Sequence, residues 1–204
     1  DKDVEILRID LNEFIEIGSY KIFIQYKGIL NEKLRGFYHS SFKDAKGKLQ
    51  SIATTQMEST DARRSFPCFD EPNYKAIFSI TLDVKRDLYA VSNSEIKKII
   101  DLDKDKKRVE FVDTIPMSTY LVAFIVGPFK ASRTVDVSGV PLRIIYPEGK
   151  DDLCDYALDV GEFALKYFSD YYKIPYPGDK LDMIAIPDFA FGAMENLGCI
   201  TYRE

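Results

Sequence analysis

The stretch Tyr120-Leu121-Val122-Ala123-Phe124-Ile125-Val126, followed by Gly127-Pro128, is the strongest structural signal in the chain. It contains no charged side chain, so a strand built from it has no face suited to water. A short apolar run rich in β-branched and aromatic residues is typical of a buried strand, and Pro128 cannot continue its hydrogen bonding. We therefore predict a central strand that is covered on both faces.

The sequence on either side of this strand has the pattern of a β domain. Ala76–Val84 alternates apolar and polar residues, while Tyr20–Tyr26, Tyr89–Ser92 and Arg108–Val112 are rich in residues that favour strands. The charged run Asp101–Lys107 predicts a solvated hairpin turn rather than a binding patch.

The pattern changes to helical spacing at about residue 151. Asp151 and Asp152 favour a helix N-terminus, and Pro175 and Pro177 mark the end of a helix over about 151–173. Its predicted apolar stripe consists of Leu153, Tyr156 or Ala157, Val160, Ala164, Tyr167 or Phe168, and Tyr171.

Two domains follow from this change of pattern. We predict a β domain over residues 1–147 and the N-terminal part of a mixed α/β domain over residues 148–204, with further strands at about 181–187 and 191–204.

Composition narrows the classes of partner and compartment. A net charge of −5 over 204 residues gives no reason to expect a nucleic-acid partner. No apolar run approaches the roughly 20 residues of a membrane span, so no membrane partner is expected. Cys68, Cys154 and Cys199 are odd in number and widely spaced, which indicates reduced thiols and predicts a cytoplasmic location.

Several sequence blocks, in order along the chain, point to one family. They are Thr55–Pro72 (TQMESTDARRSFPCFDEP), Pro116–Leu121 (PMSTYL), Ile186–Phe189 (IPDF), Gly192–Asn196 (GAMEN) and Thr201–Glu204 (TYRE). Together they resemble the M1 (gluzincin) family of zinc aminopeptidases. Because the blocks occur in the family's order over most of the chain, the resemblance does not depend on one pentapeptide.

This resemblance implies a mainly β fold: the saddle-like antiparallel β-sandwich domain of M1 proteins, followed by an α/β piece of an incomplete thermolysin-like catalytic domain. In that family an H-E-x-x-H zinc motif and a further Glu ligand follow the GAMEN segment. Here eight residues follow Asn196, and the only histidine is His39. We expect a chain truncated before the zinc motif and lacking the first strands of its β domain, with no catalytic residue and no metal ligand of its own.

The resemblance assigns substrate binding to two segments. A free α-ammonium is best held by carboxylates through charge-assisted hydrogen bonds. The resemblance gives this role to Glu195, with Glu58 as the second acceptor. Gly192 and Ala193 would belong to an edge strand whose backbone pairs with the extended substrate, where small side chains let the peptide approach closely.

Three further positions complete the expected site. Met194 and Gln56 are candidates to line the pocket for the first substrate side chain. Two alternatives stay open here: Met194 as core filler and Gln56 as a surface amide. Asn196 is expected to hold the strand in place rather than to touch substrate.

The resulting hypothesis is a fragment of a zinc metallo-aminopeptidase that hydrolyses N-terminal residues from peptides with a free N-terminus. The chain would supply the N-terminus anchor and the edge strand, while Zn²⁺ would bind only in the full-length enzyme. One alternative is a bifunctional epoxide hydrolase of the leukotriene A4 hydrolase type, although such proteins carry G-G-M-E-N where this chain has Ala193. The other is a non-catalytic M1-like scaffold, but such relatives tend to lose the Glu that is intact here as Glu195.

The first prediction concerns the 204-residue chain by itself. Because a zinc site with two histidine ligands cannot be built from a chain with one histidine, we expect no stoichiometric zinc and no peptidase activity. Metal analysis after equilibration with zinc, together with an aminoacyl-amide assay, checks this. Robust turnover by the isolated chain would contradict it.

Overall fold

The computed structural model describes residues 5–204, apart from the side chain of Asp152. The first residues of the predicted β domain and one of the two predicted helix-starting carboxylates therefore lie outside the described part. The strands are β1 (Gly36–Lys43), β2 (Leu49–Gln56), β3 (Thr81–Lys85), β4 (Tyr89–Ser92), β5 (Ile96–Asp101), β6 (Lys106–Phe111), β7 (Phe124–Gly127), β8 (Phe129–Ala131), β9 (Val135–Val137), β10 (Val140–Pro147), β11 (Leu181–Ile186), β12 (Ala193–Met194) and β13 (Cys199–Arg203). The helix α1 spans Cys154–Tyr172, and short 3₁₀ turns cover Ala62–Arg64, Thr119–Leu121 and Asp151–Leu153.

The predicted central strand is confirmed over its second half. β7 lies inside an antiparallel sheet of order β1-β2-β7-β4, where Val126 is paired with Ala53 on one side and Ala90 on the other. The strand begins at Phe124 rather than at residue 120. The backbone N–H of Ala123 donates to the side chain of Asn93 at 2.8 Å, so a side chain takes the place of a ladder partner.

A six-stranded sheet joins the two halves of the sequence. Its order is β12-β13-β11-β10-β8, with β9 also paired to β10. β10, β11 and β13 are parallel neighbours, and α1 forms the crossover between β10 and β11. The sheet contains strands from both sides of residue 147, so the boundary near that residue does not separate two sheets. As a domain limit it stays a prediction.

The third sheet, of order β3-β6-β5, carries the predicted charged hairpin tip. The turn is closed by a bond from the N–H of Leu102 to the carbonyl of Lys106 at 3.1 Å. The alternation predicted over Ala76–Val84 is present in side-chain burial, but the strand begins only at Thr81. Its inward side chains pack against Val109 and the neighbouring core.

The prediction of a strand over Tyr20–Tyr26 was wrong. No strand occurs in the described residues before β1, and the apolar side chains there are exposed; Phe23, for example, is 92% exposed. A strand needs a ladder partner, and none of the described strands pairs with this segment. The segment therefore forms no strand, although its residues favour one.

The face of α1 that packs on the sheet also differs from the prediction. The buried residues are Cys154, Leu158 and Gly161, whereas Tyr156 in the predicted apolar stripe is 79% exposed. Gly161 explains the choice of face, because a Cβ at this position would lie 2.6 Å from Sδ of Met183 on the sheet. Ala157, an alternative to Tyr156 in the predicted stripe, is half-buried against this core, whereas the aromatic side chains of the stripe are exposed.

None of the helices in the described part of the chain is both long and apolar enough to cross a membrane.

The packing of α1 gives a stability prediction. Leu158→Ala removes a side chain that is fully buried between helix and sheet, and it should lower the free energy of unfolding by about 2–5 kcal/mol. The matched substitution Tyr156→Ala on the outer face should change it by less than about 0.5 kcal/mol. Urea denaturation of the two variants checks this, and the opposite order of effects would restore the predicted stripe as the packing face.

Candidate functional site

The site is organised around a hairpin at the edge of the six-stranded sheet. β12 pairs with β13 alone among the described strands, with Ala193 opposite Tyr202 and Met194 opposite Thr201. The carbonyl of Gly192 accepts the N–H of Arg203 at 3.0 Å and extends this pairing by one bond. The other edge of β12 is therefore open to pairing with a further strand.

The strand predicted over 191–204 is divided by a tight turn. The carbonyl of Asn196 accepts the N–H of Cys199 at 2.9 Å, and Gly198 has φ +72°. A Cβ on Gly198 would lie 1.9 Å from the carbonyl oxygen of Asn93, so only glycine fits. A continuous strand cannot form through this geometry.

Asn196 is buried inside the hairpin. Its side-chain amide donates to the hydroxyl of Thr201 at 3.4 Å, across to the second strand. The side chain thus bonds across the hairpin and does not face solvent, while its expected role relative to substrate stays a prediction.

Gln56 and Met194 connect the hairpin to the first sheet. Gln56 is the last residue of β2 and is 1% exposed, which excludes the alternative of a surface amide. Its side-chain N–H donates to Sδ of Met194 at 3.5 Å, and its side-chain oxygen has no partner within the described part of the chain. Met194 is fully buried in a core that also contains Tyr38 and Ile186. A contribution of either side chain to a substrate pocket stays a prediction.

The two predicted ammonium acceptors closely follow Gln56 and Met194 in the sequence. Glu58 lies two residues after Gln56, and Glu195 lies one residue after Met194. Both side chains are exposed, and neither forms a hydrogen bond or ion pair within the described part of the chain. The fold thus brings together segments that are 137 positions apart in sequence and leaves both carboxylates available.

A partly buried ion pair holds the segment that follows Glu58. Asp70 accepts hydrogen bonds from Nε of Arg63 at 2.9 Å and from the hydroxyl of Thr119 at 2.9 Å. The hydrogen bond that Arg63 donates to Asp70 raises the pKa of the guanidinium. These contacts tie the segment after Glu58 to Asp70 and, through Asp70, to Thr119.

A second buried network lies behind the hairpin, and sequence reasoning missed it. The ammonium of Lys180 donates to the carbonyls of Ser92 and Gly198 at 2.7 and 2.6 Å and pairs with Asp182 at 2.9 Å. Arg143 forms two further bonds to Asp182, at 2.6 and 3.1 Å, which raise the pKa of the guanidinium. The available signal was Asp182 itself, because a carboxylate inside an apolar buried strand requires partners.

Asn93 completes the connection between the two sheets. Its side-chain amide donates at 2.8 Å to the carbonyls of Leu121 and of Leu197, which lies in the hairpin turn. Nearby, the hydroxyl of Tyr38 on β1 donates to the carbonyl of Asp188 at 2.8 Å. The hairpin is thereby fixed to the β domain at several independent points.

The residues present do not fit a zinc site. The sequence contains one histidine, and no group of three or more His, Cys, Asp or Glu side chains in the described part could hold a metal ion. What the described part of the chain does offer is an open strand edge, two carboxylates without a partner there, and one buried amide oxygen also without one.

Comparison with known families agrees with this arrangement. The model of the peptidase M1 N-terminal domain matches residues 1–121, and that of the peptidase family M1 domain matches residues 156–204. The chain belongs to the peptidase M1 family. The expected family is therefore confirmed, and the antiparallel sheets agree with the expected mainly β fold of the M1 N-terminal domain followed by the start of the M1 catalytic domain.

Curated M1 relatives match over nearly the whole chain. Aminopeptidase M1-A of Oryza sativa subsp. japonica is 46% identical over 98% of the chain, aminopeptidase A of Gloydius brevicauda is 43% identical over 98%, and the puromycin-sensitive aminopeptidase of Caenorhabditis elegans is 42% identical over 100%. The chain spans 23%, 21% and 22% of the length of these proteins, respectively.

The two glycines of the M1 hairpin give a paired prediction. Gly198→Ala should lower the free energy of unfolding by at least about 2 kcal/mol, because the positive φ and the backbone of Asn93 both exclude a methyl group. Gly192→Ala should change it by less than about 0.5 kcal/mol, since nothing lies within 4 Å of the added Cβ. Thermal or urea unfolding compares the two variants. Equal effects would contradict the assigned turn.

Proposed function

We propose that the whole protein is a metallo-aminopeptidase that hydrolyses the first residue of peptides with a free N-terminus. In this proposal the present chain forms the surface that holds that N-terminus. Membership of the M1 family and the names of its relatives support the reaction class. The contact of Gln56 with Met194 supports the binding role most directly, because it brings the segments of Glu58 and Glu195 together.

Charge and hydrogen bonding favour an ammonium as the group that is recognised. A primary ammonium has three N–H donors and one positive charge. Within the described residues, Glu58 and Glu195 offer two carboxylates without partners, and the side-chain oxygen of Gln56 is a third such acceptor. An acetylated N-terminus carries no charge and fewer donors, so it would leave acceptors unpaired once the substrate covers them.

The open edge of β12 favours an extended peptide as the substrate. A peptide can add to a sheet edge through main-chain hydrogen bonds, with alternate side chains pointing away from the sheet. No atom lies within 4 Å of the position that a Cβ on Gly192 would occupy, and Ala193 is small and exposed. A substrate backbone therefore has room to approach this edge closely.

Zn²⁺ is proposed as the cofactor of the whole protein on the basis of family membership alone. Among the described residues no group of three or more His, Cys, Asp or Glu side chains could hold the ion, so no step of the metal chemistry is assigned to them.

A cytoplasmic location is proposed from the cysteines. Cys68, Cys154 and Cys199 are all free thiols, and burial raises the pKa of Cys199 to about 12. Free buried thiols are typical of reducing compartments. Fractionation of cells that express the tagged whole protein tests this, and recovery from the secretory pathway would contradict it.

Substitution of the anchor carboxylate tests the function. In the whole protein, Glu195→Gln keeps the shape of the side chain and removes its charge, so KM for unblocked aminoacyl substrates should rise about 10- to 100-fold. The melting temperature should not change, because the side chain has no partner within the described part. Steady-state kinetics and thermal unfolding measure the two effects.

The matched control is Glu162→Gln, an exposed glutamate on α1, which should leave KM unchanged. The proposal would be overturned by an unchanged KM in Glu195→Gln, or by equal hydrolysis of free and N-acetylated substrates by the wild-type protein.

A further inference from the structure

We propose that Lys180 and Tyr176 clamp the backbone of Gly198 and thereby set the position of Glu195. Lys180 is then a positioning residue for recognition of the substrate N-terminus, a role that rests on the proposed function. Neither residue belongs to the motifs that identify the family in this sequence, and neither is among the predicted substrate-binding residues.

Lys180 has an acceptor for each of its three donors. They are the carbonyl of Ser92 at 2.7 Å, the carbonyl of Gly198 at 2.6 Å and a carboxylate oxygen of Asp182 at 2.9 Å. The residue is buried, and a buried ammonium is tolerated only when it is paired and fully hydrogen-bonded. The three acceptors therefore determine the position of the ammonium.

Gly198 is held through both of its backbone polar groups. Its N–H donates to the hydroxyl oxygen of Tyr176 at 2.7 Å, while its carbonyl accepts from Lys180 and from the N–H of Asp182, the latter at 3.0 Å. Burial raises the pKa of Tyr176 to about 12, so the phenol stays neutral and its oxygen serves as an acceptor. Because the two peptide groups that flank Gly198 are both hydrogen-bonded here, the backbone cannot shift at this residue without breaking several bonds.

The clamp also aligns the turn with the other half of the predicted site. Ser92 ends β4, which belongs to the same sheet as β2 and its terminal residue Gln56. Lys180 thus bonds directly to the sheet that carries Gln56 and to Gly198 in the turn that follows Glu195. Because the Glu195 side chain has no partner in the described part, the turn backbone determines where its carboxylate lies.

Lys180→Met is the informative variant. Methionine has a similar length and fills the buried space, but it donates nothing to Ser92 or Gly198. Arg143 still pairs with Asp182, so no carboxylate is left without a cation. The change therefore releases the turn while one buried ion pair remains.

The experiment combines exchange and kinetics on the whole protein. Hydrogen–deuterium exchange of a peptide that covers residues 195–202 should become faster in Lys180→Met. KM for an unblocked aminoacyl substrate should rise about tenfold, in line with a weakened charge-assisted hydrogen bond. In a Glu195→Gln background the same substitution should raise KM less than about twofold, because the two residues act through one interaction.

Lys98→Met, at an exposed position on β5, is the control and should alter neither exchange nor KM. Should Lys180→Met fail to fold, Tyr176→Phe carries the test, because it removes one acceptor from Gly198 and leaves the ring in the core. It should give the same pattern with smaller changes.

Two results would overturn the proposal. One is that Lys180→Met raises KM equally with and without the Glu195 carboxylate, which would mean that Lys180 has a structural role only. The other is unchanged exchange over residues 195–202 in the folded variants. If the wild-type protein hydrolyses no unblocked substrate, the recognition role falls with the proposed function, whereas the exchange data still decide whether the clamp exists.

Discussion

The ammonium of Lys180 lies out of water, where it needs an acceptor for every donor. The acceptors come from separate parts of the chain: Ser92 at the end of one sheet, Gly198 in the hairpin turn, and Asp182 on the strand between them. Arg143 shares the Asp182 carboxylate. Removal of one partner from such a network costs about 3–5 kcal/mol, so the two sheets have one strongly favoured arrangement at this point.

The placement of the candidate site follows from that arrangement. With the turn fixed at Gly198, β12 becomes the outer strand of the sheet and its open edge faces away from β13. Met194 then points into the shared core, where it meets Gln56 from the other sheet. The next residue, Glu195, leaves the core with its carboxylate free. The buried Lys180 network, the hairpin and the exposed Glu195 are thus structurally connected.

Local signals in the sequence predict local structure well. The buried strand near Ile125, the charged hairpin and the helix after residue 150 all depend on neighbouring residues, and the structure contains them. The packing face of the helix was mispredicted because the prediction used only the spacing of apolar residues. The observed face depends on Gly161, which lets the helix approach the sheet closely. For the site, the sequence motifs point to Glu195, and Asp182 signals that a buried carboxylate needs partners without indicating which residues they are. Lys180 meets its partners across up to 88 positions, and no local pattern encodes such contacts.

A crystal structure of the whole protein with a bound free amino acid tests the central claim most directly. The account holds that the M1 hairpin and the end of β2 form one ammonium-binding surface. It predicts the amino nitrogen within about 3.2 Å of carboxylate oxygens of both Glu58 and Glu195. An amino group bound by other residues, with these two carboxylates in solvent, would contradict it.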